Sequence, residues 1–187
     1  MAKLYFYYGA MGSSKTMNVL VTAFNYEERG QNVLIAKTGT DKRDGERTIR
    51  SRIGLERECV LLDEVLSMTD EEIQQYNVVL VDEAQFASKD EIDALARIVD
   101  NCKVPVLCYG LRADFQSNLF EGSKRLMEIA DEIHEIKTMC WCGRKATFNA
   151  RYDENGIVRD GAQVVLGANN KYISLCRKHY LEGKLHK

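Results

Sequence analysis

Leu4-Tyr-Phe-Tyr-Tyr8, then Gly9-Ala10-Met11-Gly12-Ser13-Ser14-Lys15-Thr16, then a helical pattern: this stretch decides how the 187-residue chain is read. An apolar strand that runs into a small-residue loop ending in Lys-Thr is the layout of a phosphate-binding loop. Glycine and serine let backbone N–H groups curl around phosphate oxygens, and the helix that follows points its positive end at them. Lys15 is placed to reach β- and γ-phosphates, and the Thr16 hydroxyl to ligate Mg²⁺. The usual pattern has a second glycine directly before the lysine, where this chain has Ser14. If that position takes a positive φ, the serine is strained there.

Composition sets outer bounds. The chain is long enough for one good core and a small appendage. At 45% hydrophobic and 29% charged it reads as a soluble globular protein. A net charge of -2 gives no global pull towards nucleic acid or an anionic membrane. No apolar run is long enough to span a bilayer, and Leu4–Tyr8 is too short for a signal-peptide core. These features read as cytosolic, so the six cysteines are expected to be reduced. Cys59, Cys102 and Cys108 stand in apolar contexts and read as small buried hydrophobes.

Working outward from the loop, Met17, Leu20, Val21 and Phe24 recur at helical spacing and predict a helix over about 15–29, with Gly30 as its stop. Asn32–Ala36 reads as a buried strand. Strand, helix, strand with little alternation indicates a parallel sheet covered on both faces. From Thr38 to Arg57 the chain turns polar and charged. It reads either as a solvated mobile connection or as a flap that brings an arginine to the phosphates, and the residues alone leave the two open. Val60–Leu62 hints at a short strand and Asp70–Gln75 at a short helix. Val78–Val81 reads as a buried strand whose tip carries Asp82 and Glu83. Ligands of open parallel sheets sit at that end, where an acid can hold Mg²⁺ opposite the loop threonine. Ser88 is placed to cap a helix whose inward residues are Ile92, Leu95, Ala96 and Val99. Val104–Tyr109 is the next strand, and the loop from Gly110 to Phe120 is rich in residue types that bind small molecules. Leu126–Ala130 belongs to a helix, and Glu132–Lys137 reads as the last strand of the sheet.

The pattern then changes. Cys140-Trp-Cys142-Gly143 precedes a short strand, Ala146–Tyr152, a turn at Asp153–Gly156, a loop, and Tyr172-Ile-Ser-Leu-Cys176-Arg-Lys-His179. Two such knuckles separated by a hairpin look like a zinc ribbon, with Cys140, Cys142, Cys176 and His179 as the four ligands. Only one residue separates the first pair, where two or more are usual. Free buried cysteines and a disulfide are the alternatives, and a reducing compartment argues against the disulfide.

Together these segments resemble the thymidine kinase family of the cytosolic, zinc-containing type, in its bacterial form. The resemblance runs nearly end to end. It rests on Gly9–Thr16, on Asp82-Glu83-Ala84-Gln85-Phe86, on Tyr109-Gly-Leu-Arg-Ala-Asp-Phe115, on Cys140-Trp-Cys142-Gly-Arg-Lys-Ala-Thr, on Gln163-Val-Val-Leu-Gly167 and on Tyr172–Tyr180. It implies transfer of the ATP γ-phosphate to the 5′-hydroxyl of thymidine. By resemblance, Asp82 is the Mg²⁺-associated acid, Glu83 the catalytic base, and Arg43 an arginine near the 5′-oxygen, which favours the flap. Ala84 and Gln85 join the nucleotide site. Met11, Phe115 and Phe120 surround the thymine. Gln163, Val165, Gly167 and Tyr172 belong to a lasso loop that closes over the nucleoside, largely through backbone groups. The resemblance also implies a homotetramer and a role in DNA-precursor salvage.

The expected fold is therefore α/β: a P-loop parallel sheet with helices on both faces over residues 1–137, the ATP-binding kinase domain. A small zinc-ribbon-like domain over 138–187 carries the nucleoside lid. Two rivals deserve a test. Asp-Glu-Ala-Gln also resembles the acidic strand end of helicases, but the chain leaves no room for a second lobe. A zinc ribbon can bind nucleic acid, but such modules carry basic patches and Ala146–Leu175 is mixed in charge.

Overall fold

The computed structural model describes residues 1–39, 47–163 and 171–186. In chain order the elements are β1 (Leu4–Tyr8), α1 (Lys15–Glu27), β2 (Val33–Lys37), β3 (Thr48–Arg50), β4 (Glu56–Glu58), β5 (Val60–Leu61), α2 (Leu62–Ser67), α3 (Asp70–Ile73) and β6 (Val78–Asp82). They continue with α4 (Lys89–Cys102), β7 (Val106–Gly110), α5 (Glu121–Ile129), β8 (Glu132–Glu135), β9 (Thr138–Met139), β10 (Lys145–Ala146), β11 (Phe148–Asp153), β12 (Gly156–Val158), β13 (Lys171–Leu175) and α6 (Arg177–Glu182).

Six strands form one parallel sheet in the order β5-β2-β6-β7-β1-β8. The central strands carry no polar alternation because helices cover both faces. Val78, Val79, Leu80 and Val81 are all fully buried, and each such side chain contributes roughly 1.5–3 kcal/mol of burial. On one face Val79, Val81 and Cys108 pack with α2 to α5; on the other Val78, Leu80 and Leu107 pack with Val19, Leu20 and Ala23 of α1. Cys59, Cys102 and Cys108 are buried as expected, and burial pushes their thiols up to about 11, 11 and 12. At the edge, β8 reads Glu-Ile-His-Glu. Glu132 pairs with Lys3 at 2.5 Å, and this charged edge discourages further strand addition.

Local chemistry explains the ends. The Ser88 hydroxyl accepts from the Glu91 amide at 3.2 Å while the Glu91 carboxylate accepts from the Ser88 amide at 2.6 Å. That capping box fixes the start of α4 and is worth about 1 kcal/mol. Gly30, at φ 71, follows the end of α1.

The charged stretch after Thr38 differs from the connection the sequence suggests. Its described part folds as a β3–β4 hairpin, three of whose arginines pair with glutamates: Arg47 with Glu64, Arg50 with Glu56, Arg57 with Glu27. Helices α2, α5 and α6 are longer or newer than the sequence indicates. The segment after Val60 becomes α2 rather than a longer strand, and α5 starts at Glu121.

The chain beyond β8 has its own small core of Cys140, Ala146, Ala150, Leu175, Cys176 and Tyr180. There β11 is the centre of a three-stranded antiparallel sheet, β12-β11-β13, and α6 follows at once. The boundary expected at 137/138 falls between β8 and β9.

Candidate active site

Four of the parallel strands deliver polar groups to the same edge. The carboxyl end of β1 opens into the loop from Gly9, that of β6 carries Asp82 and Glu83, that of β2 carries Lys37 and Thr38, and that of β7 is Gly110. Lys37 stands opposite Asp82 and Tyr8 opposite Gly110. In open α/β sheets this edge is where ligands bind.

The loop is tightly built. A Cβ on Gly9 would lie 2.3 Å from Ser13 Oγ and 2.5 Å from the Ile136 carbonyl oxygen, so only glycine fits there. Ser14 takes φ 62, ψ 32, the left-handed conformation that the missing glycine would adopt freely. The strain expected from the sequence is present. Lys15 is buried and its Nζ donates to the Ala10 carbonyl at 3.0 Å, with Gly9 O and Ser13 Oγ at 3.4 Å. Its ammonium therefore sits inside the curve of the loop, where a phosphate would replace neutral acceptors. The Met11 amide donates to Asn149 Oδ1 at 2.8 Å, and the Ser174 hydroxyl donates to the Met11 carbonyl. The loop is thus braced from the C-terminal sheet.

The acids are also constrained. Burial, reinforced by the charge on Glu83, pushes Asp82 up from 3.8 to about 7, although the Thr16 hydroxyl, the Glu83 amide and Lys15 pull the other way. A buried carboxylate near the Thr16 hydroxyl is a set of hard oxygen donors, which suits Mg²⁺. Glu83 takes φ 52, ψ 34, a left-handed backbone at a non-glycine residue. Such strain persists only where the surroundings fix it, and it gathers at functional sites. Here Gln85 does the fixing. Its side-chain amide donates to Glu83 Oε2 while its Oε1 accepts from the Leu111 amide at 3.0 Å. Ala84 is fully buried beneath this turn.

The thymine-side candidates fall into two groups. Phe115 is buried under the Arg151 guanidinium, 3.6 Å from its ring centroid. Phe120 is buried edge-on against Phe86, with centroids 5.6 Å apart. Gln163 Nε2 donates to Asp114 Oδ2 at 2.8 Å, and Tyr172 pairs with Arg151 across β13 and β11. Met11, Phe115, Gln163 and Tyr172 are therefore connected through Asn149, Asp114 and Arg151. Phe120 lies at the start of α5, on the side of Glu83. Arg43, Val165 and Gly167 lie outside the described residues.

Several of these linking residues are not signalled in the sequence. Asn149, Ala150 and Arg151 are all buried on β11. Asn149 bridges Met11 and Ala113, and Arg151 donates to the Asp160 and Ala162 carbonyls at 3.0 and 3.1 Å. The available signal is the pair Asn149 and Arg151, two polar residues on one face of a short strand. Asp114 was more legible, because an aspartate two and four residues before amides that need acceptors is a turn pattern. Its Oδ1 accepts from Gln116 and Asn118, both at 2.9 Å.

At the far end, one ligand atom from each of Cys140, Cys142, Cys176 and His179 lies within 4.8 Å of the others. Cys140 Sγ is 3.4 Å from His179 Nδ1, and Cys142 Sγ is 3.9 Å from Cys176 Sγ. All three cysteines of the cluster are free thiols, with no disulfide among them. Burial opposes ionisation of Cys140, yet the Cys142 and Cys176 amides and His179 outweigh it and bring the thiol down to about 6. Three soft sulfurs and one imidazole at this spacing fit a tetrahedral metal site of the Zn²⁺ type. The single-residue gap between Cys140 and Cys142 is accommodated.

These features define a P-loop nucleotide-binding α/β protein with a cysteine–histidine metal-type cluster appended. A family model described as thymidine kinase matches residues 2–180. The chain belongs to the thymidine kinase family. It is 49% identical to a thymidine kinase of Zymomonas mobilis over 97% of either chain. It is 46% identical to one of Pasteurella multocida and 47% identical to one of Vibrio cholerae, each over 97% of this chain and 98% of the relative. Among solved structures, a replication initiator bound to AMPPCP and single-stranded DNA is a distant likeness, at 16% identity and a TM-score of 0.48 over 73% of this chain and 41% of that one. Among the described residues, no helix is long and apolar enough to cross a membrane.

Proposed function

We propose that this protein is a thymidine kinase, transferring the ATP γ-phosphate to the 5′-hydroxyl of thymidine to give thymidine 5′-monophosphate and ADP. The observation that carries the reading is the family match over residues 2–180, joined to a loop lysine and an acid pair at one sheet edge. The O5′–P bond forms as the bond from phosphorus to the β,γ-bridging oxygen breaks, and that electron pair leaves with ADP. Glu83 orients the 5′-hydroxyl and takes its proton, with Gln85 holding the carboxylate. Lys15 and the loop amides from Gly9 to Thr16 hold the β- and γ-phosphates, so positioning and charge neutralisation dominate. Thr16 and Asp82 would hold Mg²⁺, which supplies further charge neutralisation on the triphosphate when bound.

Met11, Phe115, Phe120, Gln163, Val165, Gly167 and Tyr172 form the nucleoside side, and Arg43 serves the 5′-oxygen. Cys140, Cys142, Cys176 and His179 would hold Zn²⁺ as a structural tie for the 138–187 domain. The enzyme acts in the cytoplasm as a homotetramer, without nucleic acid. A coupled ADP-release assay across thymidine, deoxyuridine, deoxycytidine and single-stranded DNA tests this. Turnover with thymidine and none with DNA alone is expected. ATP hydrolysis that rises with single-stranded DNA and ignores nucleosides would overturn the reading.

A further inference from the structure

The hairpin between Lys37 and Cys59 carries four described arginines, and three of them face carboxylates: Arg47 faces Glu64, Arg50 faces Glu56 and Arg57 faces Glu27. The fourth, Arg52, stands at the hairpin's tip and makes no hydrogen bond or ion pair with a described residue. It points elsewhere. Its Nη1 lies 3.5 Å from the place where a Cβ would stand on Gly12, in the middle of the phosphate loop. Gly12 is also held by the Thr138 hydroxyl, which donates to its carbonyl at 3.3 Å.

The tip that presents Arg52 is braced. Ser51 is buried; its amide donates to the Leu55 carbonyl at 2.7 Å, its hydroxyl does so at 3.1 Å, and the Leu55 amide returns a bond to Ser51 Oγ at 3.1 Å. The Gly54 amide closes the turn on the Ser51 carbonyl at 3.0 Å. A guanidinium with five donors, carried on an ordered turn over a loop built for phosphate, lacks only an anion.

We propose that Arg52 is a second arginine of the phosphoryl-transfer site, which engages the β/γ end of the triphosphate together with Lys15. The proposal rests on the thymidine kinase reading above and adds to it a residue distinct from Arg43. Arg52 gives and takes no proton. It offsets the charge that builds on the transferring group and its bridging oxygen, the role for which planar guanidinium groups are suited. One consequence concerns Gly12. At φ 73 this position favours glycine, and a side chain larger than alanine there would crowd the guanidinium.

Steady-state kinetics of the full-length enzyme with Arg52→Ala, Arg52→Gln and Arg52→Lys test the proposal, with Lys15→Ala as reference and a melting curve for each. Arg52→Ala and Arg52→Gln should lower kcat by roughly 10²–10³-fold, the loss typical of one preorganised donor to developing charge. The ATP KM should rise, the thymidine KM should stay unchanged, and melting should not shift, because the side chain is exposed. Arg52→Lys should recover part of the loss. An Arg52→Ala enzyme within twofold of the parent in kcat and ATP KM, while Lys15→Ala is inactive, would overturn this inference alone. Equal losses in all three variants with a matching drop in melting temperature would also overturn it, since they would mean that Arg52 only supports the hairpin. A parent enzyme that does not phosphorylate thymidine would overturn the underlying reading.

Discussion

Single residues carry the strain and the charge of this site. Ser14 sits at φ 62, where a side chain costs about 1–2 kcal/mol and glycine costs about 0.5–1 kcal/mol in chain entropy. Ser14→Gly should therefore stabilise the protein by about 0.5–1 kcal/mol in urea unfolding, with kinase activity kept. A destabilised variant would show that the serine side chain has a role of its own. The two acids should separate by function. Glu83→Gln cannot accept a proton and should lower kcat by roughly 10²–10⁴-fold with ATP still bound. Asp82 should instead show itself in the pH dependence of stability. Folding raises its carboxyl from 3.8 to about 7, so the folded state keeps a proton that the unfolded chain releases. Its contribution then favours folding least at the upper end of that window, and stability declines as pH rises through it. Nucleotide-free protein should melt lower at about pH 8 than at about pH 5 from this cause, and Asp82→Asn should flatten the decline. Identical behaviour of the two variants would refute the division of roles.

At the scale of elements, legibility followed size and pattern. β1, α1, β6 and α4 were readable because each is a run of apolar residues at one period with a loop or cap at its end. The β3–β4 hairpin was not, because three-residue strands of charged residues carry no periodicity and their partners, Glu27 and Glu64, are far away in sequence. α6 was hidden for a related reason: its six residues are fixed by Cys176 at the N-cap and His179 within, not by an apolar stripe. The phosphate loop was legible down to the strain at Ser14, whereas the buried face of β11 was not. That face makes a prediction. Arg151 covers Phe115 and ties down the carbonyls of Asp160 and Ala162. Arg151→Ala should raise the thymidine KM several-fold while the ATP KM holds, and Arg151→Lys should fail to restore it, because lysine cannot stack and donate twice. An equal rise in both constants would place Arg151 outside the nucleoside side.

Across the whole molecule, the C-terminal sheet touches the loops of the parallel sheet at Met11, Ala113 and Phe115, and the metal-type cluster belongs to the C-terminal part. Cys176→Ser should strip bound zinc, measured as metal per chain, and loosen the C-terminal sheet while the parallel sheet keeps its melting transition. The link that makes this visible to substrate is Tyr180. It follows His179 of the cluster directly, stacks on Phe148 at 4.6 Å, and donates its hydroxyl to the Phe115 carbonyl at 2.6 Å. A chelator would therefore disturb the nucleoside side through Tyr180 and Phe115. Treated enzyme would behave as though its substrate had been diluted: slow at trace thymidine, nearly normal when thymidine is abundant. With zinc withdrawn, phosphorylation would fade first where the nucleoside is scarcest.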